Sequence, residues 1–301
     1  MTPGRRTCST LLTVIAASIF PSQAHASSLL DVPMGARPSA LGAYTAAADD
    51  INSLYWNPGG LSFLRKRELG VSHTELYGEA RLESLGYGHP TRWGTFAASL
   101  SYLGQGRIES RDSQGLQTGD YAASDRLFVL GYGIPVGRFG LGMSAKVIQQ
   151  QIAETTASGF AADLGAGYRP NRFLKLGFSV LNLGPGLSGK TGTSQLPLTM
   201  SGGAALRVIP QFMISADVRH RFLEKKSSFG LGFEAEVYNG LLLRAGYLAA
   251  NGSMAAGSSM SALSRVTAGF GVRLKGYAVD YAFAPAGHIG STQRLSLGLK
   301  F

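Results

Sequence analysis

Between Glu68 and Phe301, apolar and polar residues alternate with a period of two, segment after segment. Leu295, Leu297, Leu299 and Phe301 fall on one face, with Ser296, Gly298 and Lys300 on the other. Val266, Ala268, Phe270, Val272 and Leu274 oppose Thr267, Gly269, Gly271, Arg273 and Lys275; Phe212, Ile214, Ala216 and Val218 oppose Ser215, Asp217 and Arg219. Successive side chains of a strand point to opposite faces, whereas a helix repeats every 3.6 residues or about that, so the pattern predicts strands throughout. Fourteen segments fall near 68–77, 81–90, 93–103, 123–134, 138–149, 157–169, 173–183, 197–208, 211–222, 227–238, 240–249, 265–275, 276–284 and 291–301. Those near 68–90 and 123–134 alternate less cleanly, which leaves twelve strands as the other count.

A soluble sandwich and a membrane barrel both produce such alternation. The segments run to about ten residues, the length a tilted strand needs to cross a bilayer and nearly twice that of a globular strand. Opposite the apolar face lie Gly, Ser and charges of both signs, as in a barrel interior. Composition adds to this: Gly is 41 of 301 residues and charged residues are only 15%. The predicted fold class is therefore all-β, an antiparallel transmembrane barrel of about 14 strands over residues 68–301. Tight turns such as Arg169–Arg172 and Tyr238–Gly240 are expected at one end. The longest loops, Gly104 to Ala122 and Ala250 to Ser264, are expected at the other.

Residues 1–67 do not alternate. Arg5 and Arg6, the apolar run Leu11–Phe20 and the small residues Ala24-His25-Ala26 read as a secretory signal peptide over residues 1–26, cut near Ala26. Cys8, the one cysteine, lies within it, so disulfide and thiol chemistry are not expected beyond it. Residues 27–67 read as an N-terminal plug, or hatch, inside the barrel. A short helix over Ser39–Ala48 with Ser39 as cap is expected, then a stiff turn at Trp56, Asn57, Pro58 and Gly59. The other reading, a floppy periplasmic leader, fits poorly with Leu54, Tyr55, Trp56, Leu61, Phe63 and Leu64.

Gly184-Pro185-Gly186-Leu187-Ser188-Gly189-Lys190-Thr191 matches the phosphate-loop pattern by letter, but that chemistry needs a following helix, and another strand is expected there. The histidines beyond residue 26 are His73, His89, His220 and His288, too scattered for a metal site. No cofactor and no catalysis are expected, although a Ser/His/acid triad is assembled in space and its absence is not read from sequence. The formal charge of +10 is dispersed, which argues for loop and rim charges near anionic lipid rather than nucleic-acid binding. Inward Asp163, Asp217, Glu234, Glu236 and Asp280 are expected to pair with Arg169, Arg207, Arg219, Arg244 and Arg273. Such a lumen charge network either closes the lumen or selects a ligand.

Gly35-Ala36-Arg37, Ala40-Leu41-Gly42, Ala46 to Asp50 and Tyr55-Trp56-Asn57-Pro58-Gly59-Gly60-Leu61 resemble the N-terminal signature of the PorV/PorQ family, which shares the architecture of the fatty-acid channel FadL. Ser72-His73-Thr74-Glu75, Gly86-Tyr87-Gly88-His89-Pro90 and Asn182-Leu183-Gly184-Pro185 extend the resemblance. Pro38-Ser39 and Gly60 depart from the usual pattern. The resemblance implies a FadL-like, fourteen-strand, hatch-plugged barrel in the outer membrane of a Gram-negative bacterium. It implies either passive transport of hydrophobic small molecules or a type IX protein-secretion role. The implied partners are membrane lipids, a hydrophobic small-molecule ligand, the barrel assembly machinery (Phe301 resembles its terminal aromatic signal) and, on the second reading, secreted proteins.

Overall fold

The computed structural model describes residues 29–111, 114–190, 192–250, 265–285 and 290–301. The signal segment, the loop 251–264 and His288 lie outside the described residues.

Strands β1 (Glu68–Glu75), β2 (Ala80–Thr91), β3 (Gly94–Arg111), β4 (Gln117–Val136), β5 (Phe139–Ile152), β6 (Thr155–Tyr168) and β7 (Leu174–Gly189) form a meander. A three-residue β8 (Gly192–Ser194) folds back on β7. The meander resumes with β9 (Thr199–Ile209), β10 (Phe212–Arg221), β11 (Lys226–Tyr238), β12 (Leu241–Ala250), β13 (Val266–Leu274), β14 (Tyr277–Pro285) and β15 (Ser291–Lys300). Every neighbour pairing is antiparallel, β7 bonds β9, and β1 bonds β15 from Glu68↔Lys300 to Glu75↔Gln293. With β8 a side spur, fourteen strands close into a ring without an edge, the condition for strands to sit in lipid. The even number brings Glu68 and Lys300 together at the end that carries the tight turns.

Leu69, Val71, Leu85, Leu100, Phe160, Val218, Phe270 and Leu297 are exposed on the outer wall, the face turned to hydrocarbon. Trp93, Phe139, Tyr238, Tyr277 and Phe301 are exposed at the turn end, where an aromatic girdle meets the membrane surface. At the opposite end β3 and β4 continue as a hydrogen-bonded ladder from Gly104↔Ser124 to Arg111↔Gln117. The expected loop over Gly104 to Ala122 is thus the tip of a hairpin. Alternation fades there because neither face packs on lipid or on a lumen core.

Residues 29–67 fold among the inward faces of the strands. Helix α1 (Ala36–Leu41) starts before Ser39, because Pro38 is tolerated in a first turn, and ends at Gly42, whose φ of 66° is left-handed. Ser39 Oγ donates to Gly35 O at 2.8 Å from inside the helix rather than capping it. A one-turn helix α2 (Ser53–Trp56) and a 3-10 turn (Pro58–Phe63) follow. Leu29, Ile51, Leu54, Leu61 and Leu64 pack with the inward Leu82, Leu103, Leu127, Val129 and Ile148. The hydrophobic core lies inside the ring.

Candidate functional site

Trp56, Asn57, Pro58 and Gly59 sit against the inner wall. Asn57 is extended (φ −161°, ψ 96°), as a residue before proline favours, and its Oδ1 accepts from Gly59 N at 3.1 Å. Its Nδ2 donates to Thr45 O at 2.9 Å and to Ala166 O of β6 at 3.0 Å. Trp56 Nε1 donates to Met34 O at 3.0 Å, and Ser179 Oγ of β7 donates to Trp56 O at 2.9 Å. The wall facing this turn is glycine. A Cβ on Gly142 would meet the Pro58 carbonyl, and one on Gly165 would fall 2.6 Å from Gly59 N. Main chain therefore packs directly on main chain, and only glycine permits that approach.

The charges gather around a residue the sequence reading did not single out. Arg37 is buried: its Nε and Nη2 donate to Glu234 at 2.9 and 3.1 Å, and its Nη1 donates to Asp49 at 2.8 Å and to Asp50 at 3.0 Å. Arg244 donates to Glu234 and to Asp280, each at 2.7 Å, and Lys175 reaches Asp49 at 2.6 Å. Burial by itself would depress the Arg37 pKa, but Glu234, Tyr44, Asp49 and Asp50 outweigh it and hold the guanidinium well above its ordinary value. Burial alone would likewise raise Asp49, yet Lys175, Arg37 and Arg169 hold it well below the usual carboxylate range. Asp50 is lowered in the same way, against burial, by Arg37 and then Lys300. One cation thus ties the N-terminal segment to itself and to β11.

The expected inward residues divide between this cluster and other places. Glu234, Arg244 and Asp280 belong to it, and Arg169 touches it, 3.9 Å from Asp49 with its guanidinium 3.6 Å over the Phe63 ring. Asp163 is separate: it takes Lys146 Nζ at 2.8 Å, Ser144 Oγ at 2.6 Å and Asn182 N at 2.8 Å. Asp217 accepts from Tyr44 N and Thr45 N, both at 2.6 Å, and Arg219 stacks 4.5 Å from the Trp56 ring centroid. Arg207 and Arg273 are exposed and form no ion pair among the described residues. Their parity is inward, but they lie within two or three residues of a turn, at the watery rim. Glu236 is also exposed, and it accepts from Gly240 N at 3.0 Å to hold a turn. Arg37, Asp49, Asp50, Lys146 and Lys175 were missed. The available signal was that Arg37 and Asp49-Asp50 are the charges within an otherwise small and apolar stretch.

Above the cluster, towards the loop end, the segment Leu29–Met34 divides the lumen. On one side it leans on the apolar wall of Leu82, Leu103, Leu127 and Ile148, beside a cavity of ≈ 60 Å³. Leu29 N donates to Asp125 at 2.9 Å there. On the other side lies a chamber of ≈ 300 Å³ lined by residues of β10, β11, β14 and β15. The apparent phosphate loop is wall: Gly184–Gly189 belong to β7, no helix follows, and Thr191 lies outside the described residues. Among the described residues no group of His, Cys, Asp or Glu has metal-binding geometry.

A closed fourteen-strand barrel with chain folded into its lumen is the architecture of FadL-like outer-membrane proteins. The chain is similar in structure to the Pseudomonas putida toluene transporter TodX, with a TM-score of 0.63, 14% identity, and coverage of 89% of this chain and 97% of that one. It is also similar to a deltaS2S3 mutant of TodX described as a monoaromatic hydrocarbon channel (TM-score 0.64, 14% identity, 89% and 98% coverage). A Pseudomonas aeruginosa FadL homologue gives a TM-score of 0.60 at 12% identity, covering 90% and 98%. No protein-family model and no curated protein sequence matches the chain.

Proposed function

We infer that this barrel binds hydrophobic small molecules passively and transfers them across the outer membrane, without catalysis, and that residues 27–67 are the hatch that closes its lumen. One observation carries the reading: Leu82, Leu103, Leu127, Val129 and Ile148 turn inward and form an apolar inner wall. A water-filled porin has a polar lumen, so an apolar one suits a cargo that leaves water to enter it. Leu29 now covers that wall, and a cargo competes for the same surface; ligand then shifts the segment away by its differential affinity for the open state. The structural neighbours named for toluene and monoaromatic hydrocarbon transport support this cargo class. The PorV/PorQ resemblance rests on sequence motifs alone, and with it stands the type IX secretion alternative.

The test is native mass spectrometry and lipidomics on the protein extracted from its own membrane. Bound apolar small molecules, released when Leu127→Asp and Ile148→Asp place charges on the inner wall, are expected. Co-purifying secreted proteins and an empty lumen would overturn the transfer reading in favour of secretion.

A further inference from the structure

The ≈ 300 Å³ chamber is lined by two arginines, Arg294 and Arg219, that form no ion pair among the described residues. Arg294 of β15 is only 4% exposed and lines it. Its Nη1 donates to Thr292 Oγ1 at 2.8 Å, its Nε has no partner, and no described carboxylate forms an ion pair with it. Arg219 lies against Trp56, offers Nε to Ser201 Oγ at 3.3 Å, and is likewise without an ion pair among the described residues. Neither acid on the chamber wall forms an ion pair with Arg294 or Arg219 among the described residues: Glu224 holds Arg221 at 3.2 Å and Lys226 at 3.5 Å, and Asp217 accepts two backbone N–H groups on one oxygen while its other oxygen, packed against Gly203, has no hydrogen-bond partner. The stretches 251–264 and 286–289 contain no Asp or Glu. The rest of the wall includes the apolar surfaces of Pro33, Trp56, Leu248 and Ala284.

We propose that this chamber is a binding site for a compact organic monoanion, an apolar body carrying one carboxylate, whose charge is taken by Arg294 and Arg219. The proposal rests on the transfer reading and narrows its cargo. A buried cation without an anion is costly, and a carboxylate meets it with charge-assisted hydrogen bonds while its body covers Trp56 and Pro33. At ~30 Å³ per water-sized group, the volume seats about ten non-hydrogen atoms, the size of a compact organic acid. A neutral hydrocarbon leaves the charge of Arg294 unmet, and a cation is repelled.

The full chain has two tryptophans, so Trp93→Phe leaves Trp56 as a single reporter inside the chamber. Detergent-purified protein is titrated with 3-phenylpropanoate, its neutral amide and toluene, with heat-modifiable gel migration confirming a folded barrel. Saturable change of Trp56 emission by the acid is expected, at least about tenfold weaker by the amide. Arg294→Met should weaken the acid by about tenfold or more and leave the amide unchanged, with Arg294→Lys in between. Should Arg294→Met fail to fold, Arg219→Gln replaces it in the same comparison. Equal affinity for acid and amide, or affinity for the acid unmoved by the arginine variants, overturns the proposal. A response to toluene without one to the acid sinks the anion site and leaves hydrophobic transfer standing, whereas silence to all three counts against both.

Discussion

Replacing Arg37 with methionine keeps an unbranched stem and deletes the one cation shared by three carboxylates. The structure says what each is left with. Glu234 keeps Arg244 at 2.7 Å, and Asp49 keeps Lys175 at 2.6 Å. Asp50 loses its only ion pair among the described residues, at 3.0 Å, and is stranded as a buried charge held only by hydrogen bonds such as those from Asn52 N and Nδ2, at 2.9 and 3.0 Å. Removing one partner of a buried pair costs about 3–5 kcal/mol, so the balance between a docked and a released N-terminal segment should move by roughly 10²–10⁴. The barrel ladders do not depend on Arg37, so the ring should persist. Single-channel conductance in planar bilayers should rise, and protease should cut within residues 29–67. Adding Asp50→Asn removes the stranded charge and should recover about 1–3 kcal/mol of that loss. The pH dependence has a definite sign. Asp49 and Asp50 have folded-state pKa values below the ordinary 3.8, so their contribution is fully present above that value and is lost as pH falls through the depressed pKa. The release that these two carboxylates control should therefore appear in acid below about pH 4, as they take up protons. An Arg37→Met protein that runs as a folded barrel yet conducts and resists protease like wild type would refute the reasoning.

Gly142→Val places a branched side chain where the Pro58 carbonyl sits, and overpacking of about 1–3 kcal/mol should raise the frequency of open events in the same recordings. Lys146→Met leaves Asp163, which is fully buried, without its cation and should cost about 3–5 kcal/mol, read as a lower thermal midpoint in detergent. The exposed Lys225→Met should change that midpoint little, by about 0.5 kcal/mol or less. Deleting Phe301 removes its two backbone hydrogen bonds with Arg67, at 3.1 and 3.0 Å, together with a girdle aromatic. The expected outcome is a reduced yield of heat-modifiable barrel in isolated outer membranes.

Strand number and facing were legible because a wall between lipid and lumen forces period two on every residue it contains. Leu295, Leu297 and Leu299 have no alternative face that keeps them out of water. The same logic fails where the wall leaves the membrane, so Arg107–Arg111 of β3 and Gln117–Ala122 of β4 looked like loop. It fails again inside the lumen. Arg37 meets partners 12, 13 and 197 residues away, and no periodicity brings Glu234 to it. Parity puts Arg207 and Arg273 on the inward-facing set, but parity carries no information on height along the barrel axis, and height decides whether a charge meets a partner or water. The inward Leu82, Leu103, Leu127 and Ile148 of β2–β5 escaped notice for a related reason: they break the polar character of the inner face, and their partner is a segment with no periodicity of its own.

The N-terminal segment spans the seam at which the ring closes. Helix α1 contacts β11 to β15, and Ala36 N donates to Ser296 Oγ of the last strand at 2.9 Å. The Pro58–Phe63 turn contacts β3 to β7, and Ile51 sits beneath Gly70 of β1 and Gly86 of β2. The first described part of the chain is thus gripped by strands made early and by the last strands made. Docking of that segment therefore braces both sides of the closure from within, so its release and the loosening of the β1–β15 seam are linked. The glycines that let main chain lie against the wall thus bring one inserted segment onto strands from both sides of the seam.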